Sequence, residues 1–243
     1  MAARPHEISV VIEPGLEIKG TLCVPEASVG LVIVAHPTAG SRRLPRERLV
    51  AAVLERAGLA TLTLDLLTPS EESAERFGRG KFRFDIPLLA GRMLLSTSWL
   101  RRQPETHALP VGYFGNHTAA AEALVAAAHE SDRVRAVVAR GGRADLAGDE
   151  LSEVRSPTLL VVGSADVPVM AATRAALPKL TCETRLELIP GAAHLFEQPG
   201  ALELAAFRAR DWFLRHLPLS PVLPLDVPPP SRRDRPPLSA ARH

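Results

Sequence analysis

A chain of 243 residues, 46% of them hydrophobic, is long enough to bury one sizeable core and need not divide into two domains. Its formal net charge of +2 is matched by the segment 218–243 alone, where Arg232, Arg233, Arg235 and Arg242 stand against Asp226 and Asp234. The rest is neutral, which argues against nucleic acid or a membrane surface as partner and leaves small-molecule chemistry as the expected business of the protein.

The opening stretch, MAARPHEISVVIEPG, lacks the apolar block of a secretory signal, and no later run approaches the roughly 20 apolar residues that cross a bilayer. A cytoplasmic location is expected. HEISVVIE and LEIKGTLCVP alternate apolar with polar residues on either side of Pro14-Gly15, the pattern of an antiparallel hairpin. Near-continuous apolar runs follow: GLVIVAH, LATLTLDLL, PVGYFG, VRAVVAR, PTLLVVGSAD and TRLELIPGAAH. Such runs suit strands buried on both faces of a parallel sheet, and the intervals carry helical periodicity, as in RERLVAAVLERAG and GALELAAFRARDWFLRHL. The expected fold class is therefore α/β, a mostly parallel, doubly wound sheet that opens with an antiparallel hairpin and carries helices on both faces.

Within that frame, Trp99, Trp212, Phe207 and Phe213 fall on helical periods and are expected to pack into the core, and one of Tyr113 and Phe114 should point inward from its strand. Residues 68–84, TPSEESAERFGRGKFRF, are too long and charged for a tight connection; they read as a lid or surface loop with Glu71, Glu72 and Glu75 on a solvated face. Cys23 and Cys182 stand far apart, in no metal or redox spacing, and read as small buried hydrophobes. From Pro218 onward the prolines deny backbone donors to helix or sheet, so 218–243 is expected to be a disordered tail behind one domain spanning 1–217.

In sheets of this kind, ligands meet the carboxyl ends of the strands. After the strand runs come His36-Pro37-Thr38, then Gly115-Asn116-His117-Thr118-Ala119, then Asp166, then His194. The order of elbow residue, acid and histidine is that of the α/β-hydrolases. With LDLLTP, RFDIPLLA, WLRRQP, LPVGYFG, RGGRADLAG, PTLLVVG and PGAAHLFEQPGALE, the chain resembles, over roughly residues 8–217, the dienelactone hydrolase-like branch of that superfamily. That type is also found fused to phosphoribosyltransferase domains, and no stretch here resembles such a domain. The resemblance implies an α/β-hydrolase fold, Asp166 as the triad acid, His194 as its base, and the backbone N–H groups of Thr38 and Thr118 as the oxyanion hole. It places His117 where the nucleophilic serine belongs. The family's small-Ser-small-Gly is here Asn116-His117-Thr118-Ala119, and its His-Gly is His36-Pro37; Pro37 lacks an N–H while Thr38 keeps its own.

A neutral imidazole at position 117 has a lone pair with which to attack an activated ester, giving an acyl-imidazole that water hydrolyses. Alternatively, His117 and His194, oriented by Asp166, move protons on a bound carbonyl compound, the chemistry of cyclisation, elimination or isomerisation. His36, His117, His194 and Asp166 are also of metal-ligand type, but no short histidine spacing supports that, and no metal or cofactor is expected. The alternative from another class is a catalytically inactive pseudo-hydrolase that binds a small molecule, with Asp166 only capping a helix. Arg140, with His36 and Asn116, is a candidate for substrate binding, Arg140 either aimed at an anion or solvated. Arg42, Arg43 and Arg46, at the start of the first long helix, await either solvent or an anionic partner. The oligomeric state is left open.

Overall fold

The computed structural model describes residues 4–218 of the chain. The expected tail beyond Pro218 lies outside the described residues. In chain order the elements are β1 (His6–Glu13), β2 (Leu16–Cys23), β3 (Leu31–His36), α1 (Pro45–Arg56), β4 (Ala60–Asp65), α2 (Pro69–Arg76) and α3 (Ile86–Leu100). Then follow β5 (Val111–Asn116), α4 (Ala119–His129), β6 (Val134–Arg140), β7 (Thr158–Gly163), α5 (Val167–Ala176), β8 (Thr184–Ile189) and α6 (Ala201–His216).

The strands form one sheet in the order β1-β2-β4-β3-β5-β6-β7-β8. β1 with β2 and β2 with β4 are antiparallel; every other pair is parallel. All residues of β3, β4, β5 and β7 are buried, which is why their sequences read as continuous apolar runs rather than alternating ones. Because helices cover both faces, adjacent strand residues serve different cores. Tyr113 packs among residues of β2, β3, α3 and α4, and Phe114 into the opposite cluster with α1 and α6. Both aromatic rings are therefore buried, one on each face, with the Tyr113 hydroxyl meeting Thr97 Oγ1 at 2.7 Å.

Local chemistry starts the helices. Pro45, Pro69, Pro87 and Pro168 occupy first-turn positions, where a missing N–H costs nothing, and Thr68, Asp85 and Asp166 accept from backbone N–H groups at the starts of α2, α3 and α5. The segment 68–84 is more ordered than a loop: it contains α2 and a 3₁₀ turn at Phe82–Phe84. Nor is its acidic face solvated. Glu71 pairs with Arg92 at 2.5 Å, the Glu75 side chain is only 6% exposed and binds Arg83, and Glu72 accepts from the Ala39 N–H at 3.3 Å. Arg42 is buried between Asp65 and Glu7 instead of awaiting an external anion. Trp212 and Phe213 are core residues and Trp99 packs at its margin, whereas Phe207 lies on the outer face of α6 beneath Arg210. Cys23 is buried and Cys182 half-buried, both as free thiols. Among the described residues no helix is long and apolar enough to cross a membrane.

α4 is buried on nearly every side, between the sheet, α3 and the irregular 3₁₀ stretch Ala144–Glu153, and its alanines allow that close approach. Glu122 lies in this helix with 0% exposure, and among the described residues neither carboxyl oxygen has a hydrogen-bond partner. Burial raises its pKa from the ordinary 4.5 to about 8. The native state then retains a proton that the unfolded chain has released, so Glu122's contribution is intact below about pH 4.5 and lost as pH rises through about 8. Glu122→Gln should therefore raise the urea-unfolding free energy at pH 8 more than at pH 5, by an amount on the order of a few kcal/mol. Parallel pH profiles for the two proteins would refute this.

Candidate active site

The chain passes from β3 to β4 on one side and returns to β5 on the other, so the sheet order reverses between β3 and β5. The crevice at their carboxyl ends is where open α/β sheets hold ligands. β5 leads into α4 through His117, whose φ is 52°, a left-handed conformation that costs a non-glycine residue on the order of 1–2 kcal/mol. The surroundings hold it there: the His117 N–H donates to the Arg140 carbonyl, and its own carbonyl accepts from the Ala120 N–H, both at 3.3 Å. The turn also needs two bare backbones. A Cβ on Gly115 would overlap the Ala119 carbonyl, and one on Gly142 would overlap that of His117.

Asp166 closes the turn after β7 and His194 stands in the loop after β8. His194 Nδ1 lies 2.8 Å from Asp166 Oδ2, and His194 Nε2 lies 3.2 Å from His117 Nδ1. Asp166 Oδ1 meanwhile accepts from the Val169 N–H at 3.3 Å, so the helix-capping role and the contact with His194 fall on different oxygens of one carboxylate. Proton positions follow from the chemistry of the chain. A carboxylate can only accept, so His194 Nδ1 donates; a neutral His194 then offers its Nε2 lone pair, and His117 Nδ1 donates to it. His117 Nε2 is left with a lone pair free for a substrate. Burial, reinforced by the positive charge of Arg140 and by His194, lowers the His117 pKa to about 4.

Below the elbow lies a buried polar cluster. Glu47, from the first turn of α1, accepts from Asn116 Nδ2 at 2.8 Å and from Arg140 Nη2 at 3.2 Å. Its carboxyl is a further 3.8 Å from His36 Nδ1, and Arg46 Nε stands 3.2 Å from it. Burial works to raise the Glu47 pKa, but Arg140, then His36 and Arg46, hold it below the usual carboxylate value. Burial also lowers His36 to about 4, so it is neutral at neutral pH. Arg140 needs correction as a substrate-binding residue. It is 2% exposed, it is committed to Glu47, and its guanidinium lies between the Phe114 and Phe196 rings at 5.6 and 5.7 Å. His36 and Asn116, though buried, do line the crevice.

The crevice encloses about 370 Å³ between the first loop (His36, Thr38, Leu44), the elbow (His117, Thr118), His194, and Arg83 with Phe84 from the 68–84 segment. Thr38 and Thr118 thus flank the space over His117, and neither backbone N–H donates to a backbone carbonyl among the described residues. The Thr38 hydroxyl is tied to Ser41 Oγ. Among the described residues no group of three or more His, Cys, Asp or Glu side chains is gathered so as to hold a metal ion. Glu47 was missed by sequence reasoning, yet a signal existed: positions 47, 50, 51, 53 and 54 form the buried side of α1, and only Glu47 in it is charged.

Two measurements follow from the cluster. Glu47→Gln leaves the Arg140 guanidinium buried without a counter-charge, and should cost about 3–5 kcal/mol in urea unfolding, whereas the paired change Glu47→Met with Arg140→Met should recover most of that loss. His36 and His117, both held at about 4, are protonated in the unfolded chain first as pH falls. Their contribution is complete above about pH 6.5 and lost as pH falls through 4. His117→Ala should shallow that acid limb; an unchanged limb would contradict the assignment.

No family model matches the chain. A dienelactone hydrolase from Anabaena variabilis, known by its crystal structure, is 47% identical with a TM-score of 0.85, over 89% of this chain and 100% of that one. Est1E from Butyrivibrio proteoclasticus shares the fold at 16% identity, with a TM-score of 0.70 over 88% and 98% of the two chains. Curated relatives from two Mycobacterium tuberculosis strains, each named "Putative phosphoribosyl transferase", are 50% identical over 214 residues. That match takes in 88% of this chain, which spans about half (47%) of the length of those relatives. With its sheet order, its strained elbow and its likeness to the Anabaena enzyme along that enzyme's whole length, the chain belongs to the dienelactone hydrolase-like α/β-hydrolases.

Proposed function

We propose that the protein hydrolyses small activated esters or lactones through an acyl-His117 intermediate. The observation that carries this reading is the continuous chain Asp166–His194–His117, at 2.8 and 3.2 Å, ending on a neutral imidazole raised above the sheet by the elbow. His117 Nε2 attacks the acyl carbon, and the carbonyl oxygen takes the negative charge, facing the N–H groups of Thr38 and Thr118. As the Nε2–acyl bond forms, the Nδ1 proton passes to His194 Nε2, and Asp166 stabilises the resulting imidazolium. The activated alkoxide departs and takes its proton from solvent while His194 releases its own to solvent, leaving a neutral acyl-imidazole. Water then attacks the acyl carbon and gives a proton to solvent, and on collapse the imidazole leaves and regains its Nδ1 proton by way of His194 Nε2. Amides should be poor substrates, because an amine is a worse leaving group than imidazole and the first adduct reverts.

The proton-transfer alternative uses the same atoms and needs the same neutral imidazole, which the lowered His117 pKa of about 4 supplies at neutral pH; multiple turnover of an ester separates the two readings.

Multiple-turnover hydrolysis of 4-nitrophenyl acetate by the wild type, His117→Ala and His117→Ser tests the reading. The wild type should turn over many times, and His117→Ala should lose about a hundredfold or more in kcat/KM. A silent wild type alongside an active His117→Ser would sink the hydrolytic reading while showing an assembled acid, base and oxyanion hole. Silence in all three, with ligand-induced stabilisation, would favour the binding protein.

A further inference from the structure

The long, charged segment 68–84 brings Arg83 and Phe84 to the crevice. Arg83 is clamped by Glu75, whose carboxylate accepts from the Arg83 N–H at 2.6 Å and from Nε at 2.5 Å. Asp85 then caps α3. Between these fixed points Phe84 is 59% exposed and lines the crevice. Across from the elbow, Leu44 is 48% exposed and lines it too, its backbone set by the start of α1 at Pro45. Two large apolar side chains held half-open on one concave site, by two separate elements, mark a place where apolar ligand surface is covered.

The charges around the crevice reinforce this. Its two cations are already committed: Arg46 to Glu47 at 3.2 Å and the Leu195 carbonyl at 2.7 Å, Arg83 to Glu75 and, at 3.6 Å, Glu72. Of the three histidines lining the crevice, His36 and His117 are neutral at neutral pH, and His194 is tied to Asp166 at 2.8 Å. A carboxylate on the substrate would have to displace an existing ion pair.

We propose that Leu44 and Phe84 form the specificity subsite for the acyl group, and that the substrates are uncharged esters with an apolar acyl chain rather than carboxylate-bearing ones. This rests on the ester-hydrolysis reading, so its test uses both turnover and binding. Across 4-nitrophenyl acetate, butanoate and hexanoate, kcat/KM should rise by about threefold per methylene, somewhat below the gain for a fully buried methylene. The glutarate monoester, with its free carboxylate, should fall at least tenfold below the butanoate. Phe84→Ala and Leu44→Ser, both at half-exposed positions outside the core, should flatten the chain-length slope. In parallel, calorimetry with N-phenylacetamide, N-phenylbutanamide and N-phenylhexanamide measures the subsite without turnover, and the same slope is expected. A flat binding series in the wild type, a slope untouched by both substitutions, or tighter binding of an ω-carboxylate amide would each overturn the proposal. Lack of ester turnover with a normal binding slope would remove the hydrolytic reading and leave the apolar subsite standing.

Discussion

The site depends on one tight turn. β5 can enter α4 through a left-handed His117 only because Gly115 and Gly142 present no side chains to the carbonyls that cross there. Those two backbones let strand, helix and the loop after β6 approach within contact, and that closeness lifts the imidazole clear of the sheet. Everything else in the crevice is arranged around that position: Asp166 and His194 arrive from the ends of β7 and β8, and the first loop from β3. The strain is met by many small interactions of a packed surround, which is how an unfavourable conformation persists at a functional position.

Beneath the turn, the structure handles buried charge in two ways. Glu47 and Arg140 are ionised and paired, tying α1 to β6, with Asn116 linking both to the elbow. Glu122 has no partner among the described residues and is kept protonated by its apolar surroundings. His36 and His117, too, are held in the uncharged form by burial. Their opposing pH dependences overlap between about pH 4.5 and 6.5, where the acid loses and the imidazoles gain as pH rises.

Much of the fold was legible in the sequence because the signal is short-ranged and repeated. Six apolar runs became β3 to β8, and the alternating pair became the β1–β2 hairpin. The residues Asp166, His194 and His117 could be placed at strand ends from order alone, and the structure brings them into one hydrogen-bonded chain. What the sequence concealed was partnership. Arg140 after a strand reads the same whether solvated, substrate-binding or buried on Glu47, since its partner lies 93 residues away. Glu71 and Glu72 read as solvated for the same reason: Arg92 and the Ala39 N–H are supplied by other elements. A local pattern fixes which face of a helix is inward, as at Glu47, but not what meets it there.

α4 begins one residue beyond Thr118, and its aligned peptide dipoles place a partial positive charge at the root of the elbow. An acidic residue in the first turn of a helix ordinarily cancels much of that charge, and Glu122 occupies such a place. Because burial keeps it protonated, it cancels nothing. The uncompensated field disfavours a cation on His117 and welcomes negative charge at the Thr118 amide. By remaining a buried neutral acid, Glu122 thereby preserves the electrostatic polarity of the elbow it supports.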